Sequence, residues 1–444
     1  MNRFWTRYLP GFIREKIEGR LQLQEVLGNT GWMMGDQVLR QVVKLLVGIW
    51  LARYLGPHLF GELSYAVALV MIVSPIALLA MDEIAIRRLV QDPACRDKVL
   101  GSAFVMMAIG GVLAFGVAMA SIHVVRPDDS LSHWLVGILA FGSIVQAFMA
   151  IEFWFESQMQ WKYAVFGKTT AFLLLNFVKI GLILVEAPLI AFAWAGLAEI
   201  AVGSLGLVLV YQRRGFSLWK WSFSRETAKG LLRDGWPIII STLLTMTYLR
   251  IDQVMLGSLA GNAELGQYSV AVRISEAWYF IPSVICNATF PAIMKAEIES
   301  EELFYAHMQR LYRLMAFMAY AVAIPVAFFA GDIIHLLFSE AYADAGPLLA
   351  VLIWTGLFTS LGTARNVFII ARNWTRVNLI SIALGCVLNI LLNAVMIPRF
   401  GAMGAVVATF ISYWFAIHGA CLFLKPLRKT GWMMSKAMLY PKIW

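Results

Sequence analysis

Residues 31–54 read GWMMGDQVLRQVVKLLVGIWLARY, an apolar run with charge inside it. At 1.5 Å per residue, a helix of this length reaches about 36 Å, enough to cross a bilayer. Asp36, Arg40 and Lys44 fall at i, i+4 and i+8, so they project from one stripe of that helix. A basic residue near mid-bilayer costs about 2.5–3.5 kcal/mol on insertion scales, so such groups face a protein interior or a wet cavity. The stripe reads as part of a polar pathway inside a membrane protein. A ladder of charges that merely joins helices is the competing reading.

The whole chain agrees with a membrane setting. Of its 444 residues 60% are hydrophobic and 14% charged, with mean hydropathy +0.73, where a soluble domain carries about 25% charged residues. Apolar runs of helical length recur from end to end, which points to a polytopic helical protein rather than a β-barrel of short alternating segments. Cys95, Cys286, Cys386 and Cys421 show no CxxC spacing, and the histidines are scattered. Neither a disulfide framework, a metal site nor a nucleotide loop is indicated, so no cofactor is expected. Residues 1–30 lack the apolar core of a signal peptide and read as a cytoplasmic interfacial segment, and residues 425–444 as a similar cytoplasmic tail.

Twelve spans are expected, at about 31–54, 61–81, 99–122, 132–155, 164–185 and 188–211, then 236–259, 265–291, 312–331, 346–370, 377–397 and 402–424. This alternation puts 27 of the 36 Lys and Arg residues on the side of the termini, Lys168 among them. Only Arg53, Arg126 and Arg399 lie on the other side. Both termini are then cytoplasmic by the positive-inside rule. The net charge of +9 is a topology signal and an attraction to anionic lipid, and needs no nucleic-acid partner.

Residues 212–235 form a long basic linker between two sets of six spans, 31–211 and 236–424. The sets repeat. LARYLGPHLFGELSYAV at 51–67 aligns without gaps on LGSLAGNAELGQYSVAV at 256–272, with Gly56 on Gly261 and Gly61 on Gly266. These four glycines suit a tight turn between the first two helices of each half. Two pseudo-symmetric six-helix bundles, related by an axis along the membrane normal, would face one another across a central cavity.

Inside the spans the basic residues are Arg40, Lys44, Lys179, Arg250, Arg273 and Arg365, and the acidic ones Asp36, Glu199, Asp252 and Glu276. Lys44 and Arg250 stand at nearly equivalent depth in the two halves. Arg273 and Glu276 are spaced to pair on one helix face, and Lys179 can pair with Glu199 or reach outward. Arg365 is near enough to the inner end of its span to snorkel to headgroups. A surplus of fixed cations suits an anionic headgroup, with phosphate or pyrophosphate foremost. Arg40, Lys44, Arg250, Arg273 and Lys179 are the candidate ligands. Asp36, Asp252, Glu276 and Glu199 can pair with them, or take up a proton or a cation in a coupled cycle.

Three stretches carry a family resemblance: LARYLGPHLFGELSYAVAL with the following MDEIAIRRLV, then RIDQVMLGSLAGNAELGQYSVAVRISEAWYFIP, then NILLNAVMIPRFGAMGAVVATFIS. They resemble the bacterial polysaccharide-repeat-unit flippases of the multidrug, oligosaccharidyl-lipid and polysaccharide exporter superfamily. The resemblance implies an inner-membrane transporter with no catalytic residues, working by alternating access. Its substrate would be an oligosaccharide on polyprenyl pyrophosphate, moved outward for O-antigen, lipopolysaccharide, capsule or exopolysaccharide. Other polysaccharide-assembly proteins would be partners, and a proton or sodium gradient a driving force. A multidrug exporter shares the architecture, but cavity cations would repel a cationic drug. A membrane-embedded polymerase or glycosyltransferase would be expected to show a large loop with carboxylates or histidines in ligand spacing, and every outer connection here is short.

Overall fold

The computed structural model describes residues 21–441, with side chains from Gly35 onward. Most of the expected interfacial segment, residues 1–20, lies outside the described residues. Every regular element among the described residues is helical. Those that organise the site are α1 (Leu21–Leu78), α2 (Met81–Gln91), α3 (Arg96–Val125), α4 (Ser130–Val145), α5 (Ala150–Ser157), α6 (Trp161–Leu184) and α7 (Leu189–Arg213). They continue as α8 (Arg225–Leu259), α9 (Asn262–Glu276), α10 (Phe280–Glu299), α11 (Glu301–Phe328), α12 (Ala330–Leu337), α13 (Ala345–Leu352), α14 (Thr355–Ala371), α15 (Thr375–Trp414), α16 (Ala420–Phe423) and α17 (Arg428–Leu439).

Ten helical runs among the described residues are long and apolar enough to cross a membrane. The two longest, Gly35–Gln91 and Thr375–Phe423, each contain a break. Gly56 has φ 69° and ψ 171°, and Gly401 has φ 54° and ψ −134°. Ten runs with two internal breaks thus stand where twelve separate helices were expected.

The break in α1 has a local cause. Pro57 drives the residue before it out of the α region, and glycine alone takes a positive φ without steric cost. Gly261, between α8 and α9, has φ 94° and ψ 171°, so the two aligned positions bend alike. Gly61 and Gly266 are helical and serve a different purpose from the turn expected of them. A Cβ added to Gly61 would lie 1.8 Å from the Asn262 carbonyl oxygen, and one on Gly266 would lie 2.0 Å from the Pro57 carbonyl oxygen. Pro57 and Asn262 are repeat partners, so the contacts are reciprocal. The two hairpins cross on each other backbone to backbone.

At this hairpin face the halves share one core, in which Phe60, Tyr65, Ile122 and Leu135 pack with Leu256, Leu265, Tyr342 and Ile397. Toward the termini the core divides. Met81, Leu100, Phe155 and Tyr211 form one cluster, and Phe304, Tyr312, Leu361 and Met434 another. The linker is shorter than expected. Helix α8 already begins at Arg225, where the Ser224 hydroxyl caps it by accepting from the Thr227 amide at 3.3 Å. Its first turns pack Leu231 into the N-terminal cluster, and Asp234 accepts from Arg88 of α2 at 3.0 Å. In the tail, α17 packs on α11, with Gln309 and Tyr320 donating to the Met433 and Met438 carbonyls at 3.1 and 3.0 Å.

Arg365 corrects an expectation. Rather than reaching the headgroups it is 2% exposed. Its Nη1 donates to the carbonyls of Ala416 and Ile417 at 2.9 and 3.0 Å, and its Nη2 to Asn378 Oδ1 at 2.8 Å. Both carbonyls lie in a π-helical turn, Phe415–Gly419, and the Ile417 carbonyl also accepts from the Cys421 thiol at 3.1 Å. The guanidinium donates to this turn from the neighbouring helix. Replacing Arg365 with Met should cost about 2–4 kcal/mol, the loss of charged donors to buried carbonyls and to the Asn378 amide oxygen. Thermal unfolding in detergent measures this, with transport per folded molecule unchanged.

Candidate substrate-binding site

The stripe on α1 meets α6. Arg40 Nε donates to Asp36 Oδ2 at 2.8 Å, and its Nη2 donates to Thr169 Oγ1 at 2.9 Å. The Thr169 hydroxyl donates in turn to Asp36, closing a three-residue ring, and the guanidinium lies 4.8 Å from the centre of the Phe172 ring. Side-chain exposure of 17% for Asp36 and 20% for Arg40 shows that the pair is not sealed. Lys44, a turn further along, is exposed and has no ion-pair partner among the described residues. It stands within electrostatic reach of Glu199, Arg40, Lys179 and Lys168. Lys179 pairs with Glu199 of α7 at 2.7 Å rather than reaching outward.

Lys168 is a member that the sequence reading placed among the terminal-side charges. It lies seven residues into α6 and donates to both oxygens of Glu152 on α5, at 2.7 and 2.9 Å. Its position inside an otherwise apolar run, beside Thr169, was the available clue.

In the second half Arg250 of α8 grips Glu276 of α9 with both Nη atoms, at 3.2 and 3.1 Å. Glu276 therefore pairs across helices and not with Arg273 on its own face, as the three-residue spacing suggested. Arg273 is turned toward Gly48 and Phe60, which leaves Glu276 to the two-pronged grip of Arg250. Arg273 instead leaves its half altogether. It lies over the Phe60 ring at 5.1 Å and fills the notch at Gly48, where an added Cβ would be 1.5 Å from Nη1. Among the described residues it has no carboxylate within ion-pair distance. Gly48 follows Lys44 by one turn of α1, so two unpaired cations flank the seam between the halves.

Asp252 is separate from that seam and 4% exposed. It accepts from the Tyr268 hydroxyl, from Thr409 Oγ1 at 3.2 Å and from the Gln253 amide at 2.8 Å. A cavity of about 20 Å³ adjoins it, lined also by Glu276, Tyr279 and Thr355, room for about one water molecule. The two carboxylates that it joins, Asp252 and Glu276, are the acidic candidates of this half.

Residues 50–347 match the family described as polysaccharide biosynthesis protein. The chain belongs to that family. This polysaccharide-biosynthesis protein is 28% identical over 191 residues to a protein of Haloferax volcanii named "Probable flippase AglR", a match covering 40% of this chain and 38% of the relative. The chain thus spans about two fifths of the length of the curated relatives that it matches. Among solved structures it is similar to an inward-facing multidrug-resistance transporter of the MATE family and MOP superfamily, with TM-score 0.69 and 18% identity over 88% of this chain and 96% of that one. It is also similar to the lipid II flippase MurJ in an inward-closed conformation, with TM-score 0.65 and 13% identity over 91% and 90%. The family resemblance and the all-helical transporter fold read from the sequence are both borne out. The chain therefore has the all-helical fold of these membrane transporters, and the curated relative that it matches bears the name of a probable flippase.

Proposed function

We propose that this protein moves an oligosaccharide linked through pyrophosphate to a polyprenyl lipid from the cytoplasmic to the outer leaflet of a bacterial inner membrane. The cycle is alternating access, and the glycan serves a surface polysaccharide such as O-antigen, capsule or exopolysaccharide. The observation that carries this reading is the pair of carboxylate-free cations, Lys44 and Arg273, at the seam between the halves. A pyrophosphate group arriving there meets an ammonium and a guanidinium with no carboxylate at ion-pair distance among the described residues, since the nearby Glu199 and Glu276 are already paired with Lys179 and Arg250. Arg40, Lys179 and Arg250, each only partly buried in its ion pair, can exchange a carboxylate for a phosphate oxygen. The similar proteins, a probable flippase and a lipid II flippase, support the substrate class. A multidrug exporter would share the fold, but a cationic drug would be repelled at this seam.

The proposal includes twelve crossings, a division at 31–211 and 236–424 and cytoplasmic termini, a reading that the bends at Gly56 and Gly401 and the bias of basic residues support. The hairpin face is then the outer face. Carboxylates released from Asp36, Glu199 or Glu276, together with Asp252, offer sites for a coupling proton or sodium ion. The glycan-assembly machinery would supply substrate at the inner face and take product at the outer.

Replacing Arg40, Lys44 and Arg250 together with Gln tests the assignment. In proteoliposomes containing a polyprenyl-pyrophosphate sugar, flipping per folded, inserted molecule should fall at least about tenfold, since each charge-assisted contact contributes about 1.5–3 kcal/mol. Full export by the triple variant would end the proposal, and imposed proton or sodium gradients in the same vesicles identify the driving ion.

A further inference from the structure

Arg126 lies in the short connection between α3 and α4, among the few basic residues of the hairpin face. Its side chain is 11% exposed. It reaches from its own half into the other. Nη2 donates to the Gly257 carbonyl at the end of α8 and to Asn262 Oδ1 at the start of α9, the latter at 2.9 Å. Nη1 stays at home, 3.3 Å from both Asp129 Oδ2 and Ser132 Oγ. The guanidinium also stacks 3.8 Å from the centre of the Tyr65 ring, which belongs to the same half as Arg126. Burial pushes the Asp129 carboxyl up, but hydrogen bonds from Ser132 and the charge of Arg126 outweigh it and hold Asp129 below the usual carboxylate range. The counter-ion is therefore charged at neutral pH.

These two sets of partners differ in what a separation of the halves would do to them. The contacts to Gly257 and Asn262 cross the seam and must break. Those to Asp129, Ser132 and Tyr65 travel with Arg126 and survive. A guanidinium that keeps its counter-ion and ring when it lets go is not stranded, so its release costs far less than breaking an isolated buried charge pair. The site sits beside the crossing of the two hairpins, where Asn262 also meets Gly61.

We infer that Arg126 is a positioning residue of the transport cycle, a reversible tie that holds the hairpin face shut and lets go when that face opens. The inference rests on the alternating-access reading but not on the identity of the substrate. Its acceptors are a backbone carbonyl and an uncharged amide, which suits a tie that has to break repeatedly. A cross-half carboxylate would hold more tightly.

Thiol labelling tests it. Ser269 is buried on the face of α9 that also carries Gly266 and Arg273, both of which touch α1. In a background with Cys95, Cys286, Cys386 and Cys421 replaced by Ala, Ser269→Cys becomes a reporter that a membrane-impermeant maleimide reaches from the hairpin side when the seam parts. In right-side-out vesicles, without substrate, R126A should raise the labelling rate about tenfold, the factor that 1.4 kcal/mol represents. N262A, which removes one cross-half acceptor and leaves the home contacts, should raise it a few-fold, and R126K should fall between R126A and the parent. Unchanged labelling in R126A, with a lowered melting temperature, would make Arg126 a structural residue and overturn the inference. Should R126A not fold, N262A decides alone, unchanged labelling again overturning it. Because no substrate is present, loss of flipping in the Arg40, Lys44 and Arg250 variant has no bearing on this result, nor this result on that one.

Discussion

Arg250→Gln is expected to lower both the folded yield and the transport rate, whereas the double variant R250Q/E276Q should recover the first and not the second. The single change leaves the Glu276 carboxylate beside a neutral amide in a site where it is 31% exposed. Breaking a fully buried pair costs about 3–5 kcal/mol, and partial exposure brings the expected loss here nearer to about 2 kcal/mol. Replacing both partners removes the charge whose desolvation was the difficulty, so thermal unfolding of the double variant should return to within about 0.5 kcal/mol of the parent. Transport separates the two roles of Arg250. If its guanidinium exchanges Glu276 for a phosphate oxygen, flipping stays at least about tenfold down in both variants. Recovery of flipping by the double variant would mean that Arg250 only supports the helix pair, and Lys44 and Arg273 would be left as the cations of the seam.

The reason for singling out Arg250 was visible in the sequence, but its partner was not. Period and charge placed Arg40, Lys44, Arg250 and Arg273 inside helices, because an apolar run interrupted by a cation is legible from composition alone. The i, i+4 rule also gave the Asp36–Arg40 contact. It failed for Arg273 and Glu276, since spacing along one helix ranks only partners on that helix, and Arg250 came from another. Arg365 failed for a related reason. Its acceptors are carbonyls of a π-helical turn at Phe415–Gly419, and no side chain in the sequence announces a widened turn. Arg126 was counted as one of the sparse charges of the outer face, because a residue in a short connection between spans carries no periodicity to say which half it touches. The repeat, by contrast, reported geometry directly. Gly56 and Gly261 were matched by alignment and share ψ 171° with positive φ.

That same repeat yields the last expectation, which concerns the second glycine of each hairpin. Gly61→Ala and Gly266→Ala should each destabilise the protein by about 3 kcal/mol or more, at the upper end of overpacking, because the obstacle is a backbone carbonyl that cannot rotate away. The added Cβ would stand 1.8 Å from Asn262 O in one case and 2.0 Å from Pro57 O in the other. Reciprocal contacts predict nearly equal shifts in the thermal midpoint for the two variants. Gly56→Ala should act differently. Its Cβ meets nothing within 4 Å, so its cost is only that of placing a side chain in a region that glycine dominates, about 1–3 kcal/mol. Gly116→Ala, in open space within α3, should be neutral or slightly stabilising, by up to about 1 kcal/mol of helix propensity. An effect of Gly61→Ala no larger than that of Gly116→Ala would mean that the hairpins do not touch in the membrane. The shared core at the hairpin face, on which the closing of that side depends, would then be absent as well.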